Sequence, residues 1–373
     1  MIDIDKKRNC CGCGACANAC PVTCIEMCAD SEGFLYPQID ASACIHCGKC
    51  EKICPVINAD GRKVTAGKGA KAPYPAAYAA VNPVDRTRKA SSSGGVFSLL
   101  AEYVIGKGGA VFGAVWGEDF SVKHIAIERI EDVALMRGSK YPQSDTGDCF
   151  TKAKQYLDGG RLVLFTGTPC HVSALLSFLG KPYPNLITQD LICHGTPSPA
   201  VWQAYLEYRA QVADSEIKEV SLRKKLEGKR ATSVCIQFEN GTRYVRTPHG
   251  KDDFMKLFLY NKCLRPSCHR CAFKGLRESD ITLADFWGVN AVAPEMNDKK
   301  GVSLVLVNTP KGEEIFEAVK DSLKLKKVAF KRSLMKNPSY FRSATAHPMR
   351  RKFFKDFAAK PFKKVLKRHK GLL

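Results

Sequence analysis

The cysteines near the N-terminus occur twice in one spacing, C-x2-C-x2-C-x3-C-P. The first copy ends at Pro21 and comprises Cys10, Cys13, Cys16 and Cys20. The second copy ends at Pro55 and comprises Cys44, Cys47, Cys50 and Cys54. In proteins with this run, the close triplet binds three irons of one [4Fe–4S] cubane and the fourth cysteine binds the other cubane. The spacing therefore predicts a first set (Cys10, Cys13, Cys16, Cys54) and a second set (Cys20, Cys44, Cys47, Cys50).

Zinc is the alternative metal for clustered cysteines, but zinc sites seldom use triplets of this spacing followed by x3-C-P. Cys11, Cys24 and Cys28 lie outside the pattern, and we interpret them as small buried apolar residues.

The 373-residue chain holds 18 cysteines, and disulfides are rare in a reducing compartment. The sequence has no apolar run of about 18 residues and its start has no apolar signal segment, so we expect a cytoplasmic protein without a membrane span. The net charge of +21 is concentrated toward the C-terminus. We expect these cations to be solvated or to dock an acidic redox partner; binding of nucleic acid is a weaker expectation.

The composition along the chain divides it into four parts. Residues 1–60 form the two-cluster ferredoxin-type domain, residues 61–75 a linker, residues 76–345 a larger domain, and residues 346–373 a basic C-terminal tail. The expected fold class is α+β (mixed α/β), a small ferredoxin-like domain followed by a larger α/β domain. Strands are predicted at 76–81, 110–116, 124–128, 161–165, 185–192 and 302–308, and a hairpin at Asn240-Gly241. Helices are predicted at 96–105, 150–157, 171–179 and 199–211.

Two turns between a strand and a helix have the composition of ligand sites. Residues 91–95, Ser-Ser-Ser-Gly-Gly, precede the predicted helix at 96; the serines can cap it, and the glycines allow close approach to a phosphate. Residues 167–170, Gly-Thr-Pro-Cys, follow an apolar strand, and loops beyond the carboxyl ends of strands bind ligands in α/β folds.

Further cysteines follow in the larger domain. Cys193 follows another apolar strand, and Cys268 and Cys271 form a C-x2-C pair. Together with Cys263 and a histidine, His269 or His194, the pair suits zinc. Together with Cys170 and Cys193, the pair suits a third cubane. Spacing leaves both alternatives open.

Six segments, in order, resemble the beta subunit family of coenzyme F420 hydrogenase/dehydrogenase. They are Ser92-Ser-Gly-Gly-Val-Phe, Gly138-Ser-Lys-Tyr-Pro-Gln-Ser, Phe165-Thr-Gly-Thr-Pro-Cys, Asp190-Leu-Ile-Cys-His-Gly, Arg265-Pro-Ser-Cys-His-Arg-Cys and Asp280-Ile-Thr-Leu-Ala-Asp-Phe-Trp-Gly. Two positions depart from the family pattern, since His171 stands where Gln is usual and Ala284 where Gly is usual.

The resemblance implies an FAD-binding domain with its own [4Fe–4S] cluster. The third set of ligands would be Cys170, Cys193, Cys268 and Cys271, with Cys263 spare. The implied flavin contacts are Ser92, Ser93, Gly94, Gly95, Lys140, Gln143, Ser144, Thr166, Gly167 and Thr168. No catalytic residue is assigned.

The expected function is that of an iron–sulfur flavoprotein oxidoreductase. It would pass electrons between a two-electron carrier, such as the deazaflavin coenzyme F420 or another small molecule, and a ferredoxin or another redox protein. The alternatives are a non-catalytic electron-relay subunit of a larger complex and a ferredoxin-dependent reductase of a biosynthetic intermediate. No Ser-His-Asp or paired-carboxylate pattern favours hydrolysis.

Overall fold

The computed structural model describes residue 2 and residues 9–59, 75–226, 232–247, 252–275 and 277–369. Residues 61–74 of the predicted linker lie outside the described residues. The strands are β1 (Ile25–Ala29), β2 (Leu35–Ile39), β3 (Ala76–Val81), β4 (Ala110–Trp116), β5 (Val122–Ile127), β6 (Ser144–Asp145), β7 (Val163–Thr166), β8 (Leu186–Leu191), β9 (Ile217–Lys224), β10 (Ser233–Phe238), β11 (Arg243–Arg246), β12 (Ile281–Asp285), β13 (Ser303–Val307) and β14 (Lys324–Val328).

The strands are joined by helices and short 3-10 turns. The helices are Ala15–Ala19, Lys49–Lys52, Asp85–Ala90, Val96–Gly106, Val133–Met136, Cys149–Asp158, Pro169–Leu179, Pro199–Ala213, Asp253–Leu259, Val289–Val292, Pro310–Lys320, Phe330–Ser333, Arg350–Ala359 and Phe362–His369. The 3-10 turns are Ile130–Asp132, Pro266–Arg270, Pro294–Met296 and Pro338–Tyr340.

A 9-stranded mixed sheet forms the centre of the larger domain, in the order β14-β3-β13-β12-β8-β7-β4-β5-β6. Strands β12, β8, β7 and β4 run parallel to one another, and β13 runs antiparallel between β12 and β3. The carboxyl ends of β3, β4, β7, β8 and β12 therefore point to the same edge of the sheet. In α/β folds this edge is where ligands bind.

Helices cover both faces of this sheet, which explains its nearly continuous apolar strands. On one face Leu100 and Phe316 pack over Leu164, and on the other Phe150 packs on Phe165. The α/β fold class is confirmed. Strands β3 and β4 match their predicted bounds, and the other predicted strands and helices are shifted by a few residues.

A second, 3-stranded sheet, β11-β10-β9, contains the predicted hairpin at Asn240-Gly241. It forms a separate apolar core with Trp202 and Phe254 from two helices.

The predicted basic tail is wrong for residues 346–369. Helices Arg350–Ala359 and Phe362–His369 pack into the same core through the buried side chains Phe353, Phe354, Val365 and Leu366. The reason is amphipathicity, because the many cations of this segment occupy the outer faces and hide the apolar spacing in the composition.

The N-terminal region packs directly on the larger domain. It contains the hairpin β1-β2, and Phe34 and Tyr36 from β2 and the turn before it join the core built around Trp202. Glu32 forms an ion pair with Arg350 from the C-terminal helices.

Across the described part of the chain, no helix is both long enough and apolar enough to span a membrane.

Candidate functional site

The carboxyl edge of the large sheet brings the third set together. Cys170 begins the helix after β7, Cys193 follows β8, and the 3-10 turn Pro266–Arg270 with the residue after it supplies Cys268 and Cys271. Burial raises the pKa of Cys193, and the thiols of the other three members raise that pKa further through their charge. Cys170, Cys268 and Cys271 therefore lie near Cys193.

Main-chain and side-chain contacts hold these cysteines in place. The Thr168 hydroxyl lies 3.0 Å from the Cys170 sulfur, and the Thr196 amide donates to the Cys268 sulfur at 3.4 Å. The Lys274 ammonium donates to the carbonyl of Cys193, and it lowers the thiol pKa of Cys193 against the effect of burial.

A buried cation, Arg277, lies near Cys271. Arg277 forms an ion pair with Asp190 at 3.1 Å, and both side chains are almost fully buried. Nε and Nη2 of Arg277 have no hydrogen-bond partner among the described residues. Its charge lowers the pKa of the Cys271 thiol, which burial raises. Unpaired buried donors near the Cys271 thiol suit an anionic sulfur-rich group.

The zinc alternative does not match the positions of its side chains. Cys263 lies in the core around Trp202, His194 pairs with Asn261 at 2.7 Å, and His269 pairs with the Ala344 carbonyl at 2.9 Å. Among the described residues, no three His, Cys, Asp or Glu side chains are arranged around a single ion. A cubane spreads its four thiolates over four irons, so its ligands lie further apart than those of one ion.

The crossed arrangement of the two N-terminal sets stays a prediction, and several of the cysteines that it groups lie near one another. Burial raises the pKa of Cys16 to about 12, and the nearby charges of Cys10 and Cys54 add to this. Cys20 lies with Cys44, Cys47 and Cys50 around one pocket at the surface. Cys54 thus lies near Cys16 of the first triplet, and Cys20 lies near the whole second triplet.

Two of the three spare cysteines lie beside ligand candidates, which their interpretation as plain apolar residues did not anticipate. The Cys24 sulfur is 3.4 Å from that of Cys20, and Cys24 lines the pocket of the second set. The Cys11 thiol contacts Cys13 and Cys170. Cys28 lies in β1 and is partly buried.

The serines of the turn at residues 91–95 do not cap the following helix, although the sequence suggested that they could. The helix at Val96 begins after Gly95, at φ 84°, and no serine caps it. Instead Ser92 pairs with Ser139 at 2.9 Å, and Ser93 donates to the carbonyl of Val302 at 2.8 Å. Gly94 is packed so tightly that an added Cβ would lie 2.3 Å from the Ala80 carbonyl oxygen.

The other implied flavin contacts do not lie together around one cleft. Burial lowers the pKa of Lys140 to about 8, and its ammonium donates to the carbonyl of Arg137 at 3.0 Å. Gln143 points to the N-terminal region, where its amide donates to the carbonyl of Gly12 at 3.1 Å. Its side chain is therefore engaged at that interface and not in an open cleft.

The hydroxyl groups of Ser144 and Thr166 are hydrogen-bonded to other parts of the larger domain. The Ser144 hydroxyl lies 2.6 Å from Nδ1 of His124, and the Thr166 hydroxyl donates to the carbonyl of Phe112 at 3.0 Å. Gly167 lies against His171, with its amide bonded to the carbonyl of Gln189. Thr168 belongs to the surroundings of Cys170.

The sequence prediction missed two cations beside the turn at 91–95. Lys225 donates to the carbonyl of Arg88 at 2.8 Å and to that of Ser93. Arg223 pairs with Asp285 and lies over the ring of Trp287. The alternating pattern of β9 could have indicated a strand, but nothing local indicates that its end reaches this edge.

Two parts of the chain match known families. Residues 160–332 match the family described as the C terminus of the beta subunit of coenzyme F420 hydrogenase/dehydrogenase, and residues 9–58 match the 4Fe-4S dicluster domain. The first match includes the whole third set, and the second includes both N-terminal sets.

Among solved structures, a chain of the xenon-derivatised F420-reducing [NiFe] hydrogenase complex from Methanosarcina barkeri is similar to this chain. The sequence identity is 20% and the TM-score is 0.48; the match covers 79% of this chain and 92% of that chain. No curated protein sequence matches.

Proposed function

We propose that this chain, which carries a 4Fe-4S dicluster domain and the C-terminal domain of the coenzyme F420 hydrogenase/dehydrogenase beta subunit family, is an iron–sulfur flavoprotein oxidoreductase. The observation that carries the proposal is that Cys170 and Cys193 follow neighbouring parallel strands, with Cys268 and Cys271 near Cys193, at the same edge of the sheet as the turn at residues 91–95. A cluster bound by the third set would place a one-electron centre in the same domain as a site for a flavin.

The third set would hold a [4Fe–4S] cluster. Burial raises the pKa of these thiols, to about 11 for Cys268, so forming four thiolates is costly without a bound metal. Iron ligation offsets that cost, and the nearby cations Lys274, Arg277 and Arg265 balance the charge of the thiolates.

FAD would lie along the turn at residues 91–95. When bound, a flavin accepts a hydride and releases electrons one at a time. The main-chain amides after Gly95 and the cations Lys225 and Lys140 would hold its phosphates, as anions bind at helix N-termini. Arg223 lies over the ring of Trp287, and these two side chains would border the site of the flavin ring.

The partners would be a two-electron carrier at the flavin and an acidic ferredoxin-type protein at the second set. The carrier proposed is coenzyme F420 or another small molecule. The second set is open to solvent at Cys47, and Ile45, Lys49 and Lys52 are exposed around it. An apolar patch with cations beside it suits an acidic redox protein.

Anaerobic quantitation of iron, zinc and flavin in the full chain tests the proposal. We expect about twelve irons and one FAD, because three cubanes contain four irons each. The Cys193→Ala variant should drop to about eight irons. The matched control Cys263→Ala removes a buried thiol outside the sets and should retain about twelve.

Other results distinguish the alternatives. Zinc in place of iron, or about eight irons in the unaltered chain without flavin, would overturn the proposal and leave the dicluster domain alone. Full iron and flavin without carrier turnover by the isolated chain would instead identify a relay subunit.

A further inference from the structure

The loop that begins the first set is held against the third set by side chains of the larger domain. Arg265 donates to the carbonyl of Cys10 at 2.8 Å, Gln143 to that of Gly12 at 3.1 Å, and Thr146 to that of Cys13 at 2.9 Å. Three of the four carbonyls of residues 10–13 are thus bound by side chains of the larger domain.

Glycines in the loop allow this close approach. Gly12 has φ 67°, and an added Cβ there would lie 2.3 Å from the Gln143 amide nitrogen. At Gly14 an added Cβ would lie 2.5 Å from the Thr146 hydroxyl. A side chain at either position would therefore disturb the hydrogen bonds by which Gln143 or Thr146 holds this loop.

Cys11 is the residue that this arrangement places at the junction. It is partly buried against the apolar cluster that contains Cys13, of the first set, and Val172, of the helix that carries Cys170, and its thiol lies near those of Cys13 and Cys170. Helix Ala15–Ala19, which follows the loop, packs on helix Pro169–Leu179, which carries Cys170. The contact is therefore part of a packed interface between two helices.

We propose that Cys11 is not a metal ligand but the contact through which the first and third sets exchange electrons. This inference rests on the proposed function, because it requires a cluster at each set. Electron transfer weakens steeply across gaps in packing, and the Cys11 sulfur lies near one ligand candidate of each set. One electron leaves the reduced first centre and one enters the oxidised third; no bond changes and no proton moves.

According to this proposal, the cluster of the first set exchanges electrons directly with the cluster of the third set. The second set faces solvent instead, with Cys47 exposed, and its spare thiol, Cys24, contacts Cys20 and Cys44 within one set. Cys24 is thus a matched control: a spare thiol beside a ligand that connects no two sets.

The test is flash photoreduction of the full anaerobic chain, with freeze-quench EPR to follow each centre. We compare Cys11→Ala and Cys11→Ser with Cys24→Ala. We expect the unaltered iron content in all three and a several-fold slower exchange between first and third centres in Cys11→Ala. Cys11→Ser, which keeps most of the packing, should be slowed less, and Cys24→Ala should match the unaltered chain.

Two results would overturn the inference alone: unchanged exchange in Cys11→Ala with full iron, or loss of about four irons, which would make Cys11 a ligand. An equal slowing by Cys24→Ala would also overturn it. An unaltered chain with about eight irons would overturn the proposed function, and this inference with it.

Discussion

The guanidinium of Arg265 donates to the main-chain carbonyl of Cys10 at 2.8 Å, although 255 residues separate them in the chain. The same group donates to the carbonyl of Leu35 and the amide oxygen of Gln143, both at 2.9 Å, and stacks over Tyr36. Arg265 is 1% exposed. One buried side chain thus joins the N-terminal region to the residues just before Cys268.

Replacing Arg265 with Met should destabilise the whole chain, because it leaves buried acceptors without donors. Each such acceptor costs about 1–3 kcal/mol. Urea unfolding measures the loss. Arg270→Met, at an exposed position five residues along, is the control and should stay within about 0.5 kcal/mol of the unaltered chain. Equal effects of the two changes would contradict the role of Arg265.

Arg277 should raise the reduction potential of the centre at the third set, because its positive charge stabilises the more negative, reduced state. Removing Arg277 alone would leave Asp190 as an unpaired buried charge, which costs about 3–5 kcal/mol. We therefore pair Arg277→Gln with Asp190→Asn.

EPR-monitored titration should show a lower potential at the third centre in this double variant than in Asp190→Asn with Arg277 intact, because the two variants differ only in the charge at position 277. The potentials of the other two centres should be the same in both variants. Equal potentials of the third centre in the two variants would contradict the prediction.

Flavin retention should weaken as the pH rises through about 8. Burial and the charge of Arg88 lower the pKa of Lys225 to about 8, so in the free protein this lysine is cationic at pH 7 and largely neutral at pH 9. An anionic ligand prefers the cation, so binding takes up a proton above pH 8. Each such proton changes the Kd by at most about tenfold per pH unit, and Lys140, whose pKa burial also lowers to about 8, contributes a second one.

Equilibrium dialysis of FAD at pH 7 and pH 9 measures this dependence. Lys225→Met should bind FAD weakly and with a flatter pH profile. Lys224→Met, which changes the neighbouring lysine paired with Glu219, should behave like the unaltered chain. A profile for Lys225→Met as steep as that of the unaltered chain would assign the dependence to another group.

The C-terminal helices should be required for stability. Phe353→Ala removes a fully buried ring from the core around Trp202 and should cost about 3–5 kcal/mol in urea unfolding. Phe341→Ala, at a half-exposed ring, should cost much less. A chain ending at residue 349 should aggregate or unfold; if it stayed folded with normal stability, the packing of these helices would be dispensable.

Much of the fold was predictable because its signals are local. The apolar runs of β3 and β4 specify strands by themselves, and Asn240-Gly241 specifies a tight hairpin turn. Strand β14 has no such signal, since three lysines share its five residues, and it forms because the edge of β3 pairs with it. The C-terminal helices were missed for a similar reason, because phenylalanines spaced for a helix stand among many cations.

The two N-terminal sets were predicted from the sequence alone, since each copy of the run shows its spacing within about ten residues and the duplication predicts the exchange of the fourth cysteines. The third set required a resemblance, because its cysteines are up to about 100 residues apart and meet only where parallel strands end. Lys225, Arg223 and Cys11 carried no signal at all: each gains its surroundings from a distant segment. The short-range chemistry of this protein is thus determined by sequence spacing. Which groups face one another across the sheet edge was decided by tertiary packing, since strand order and buried hydrogen bonds, not proximity in the chain, set those contacts.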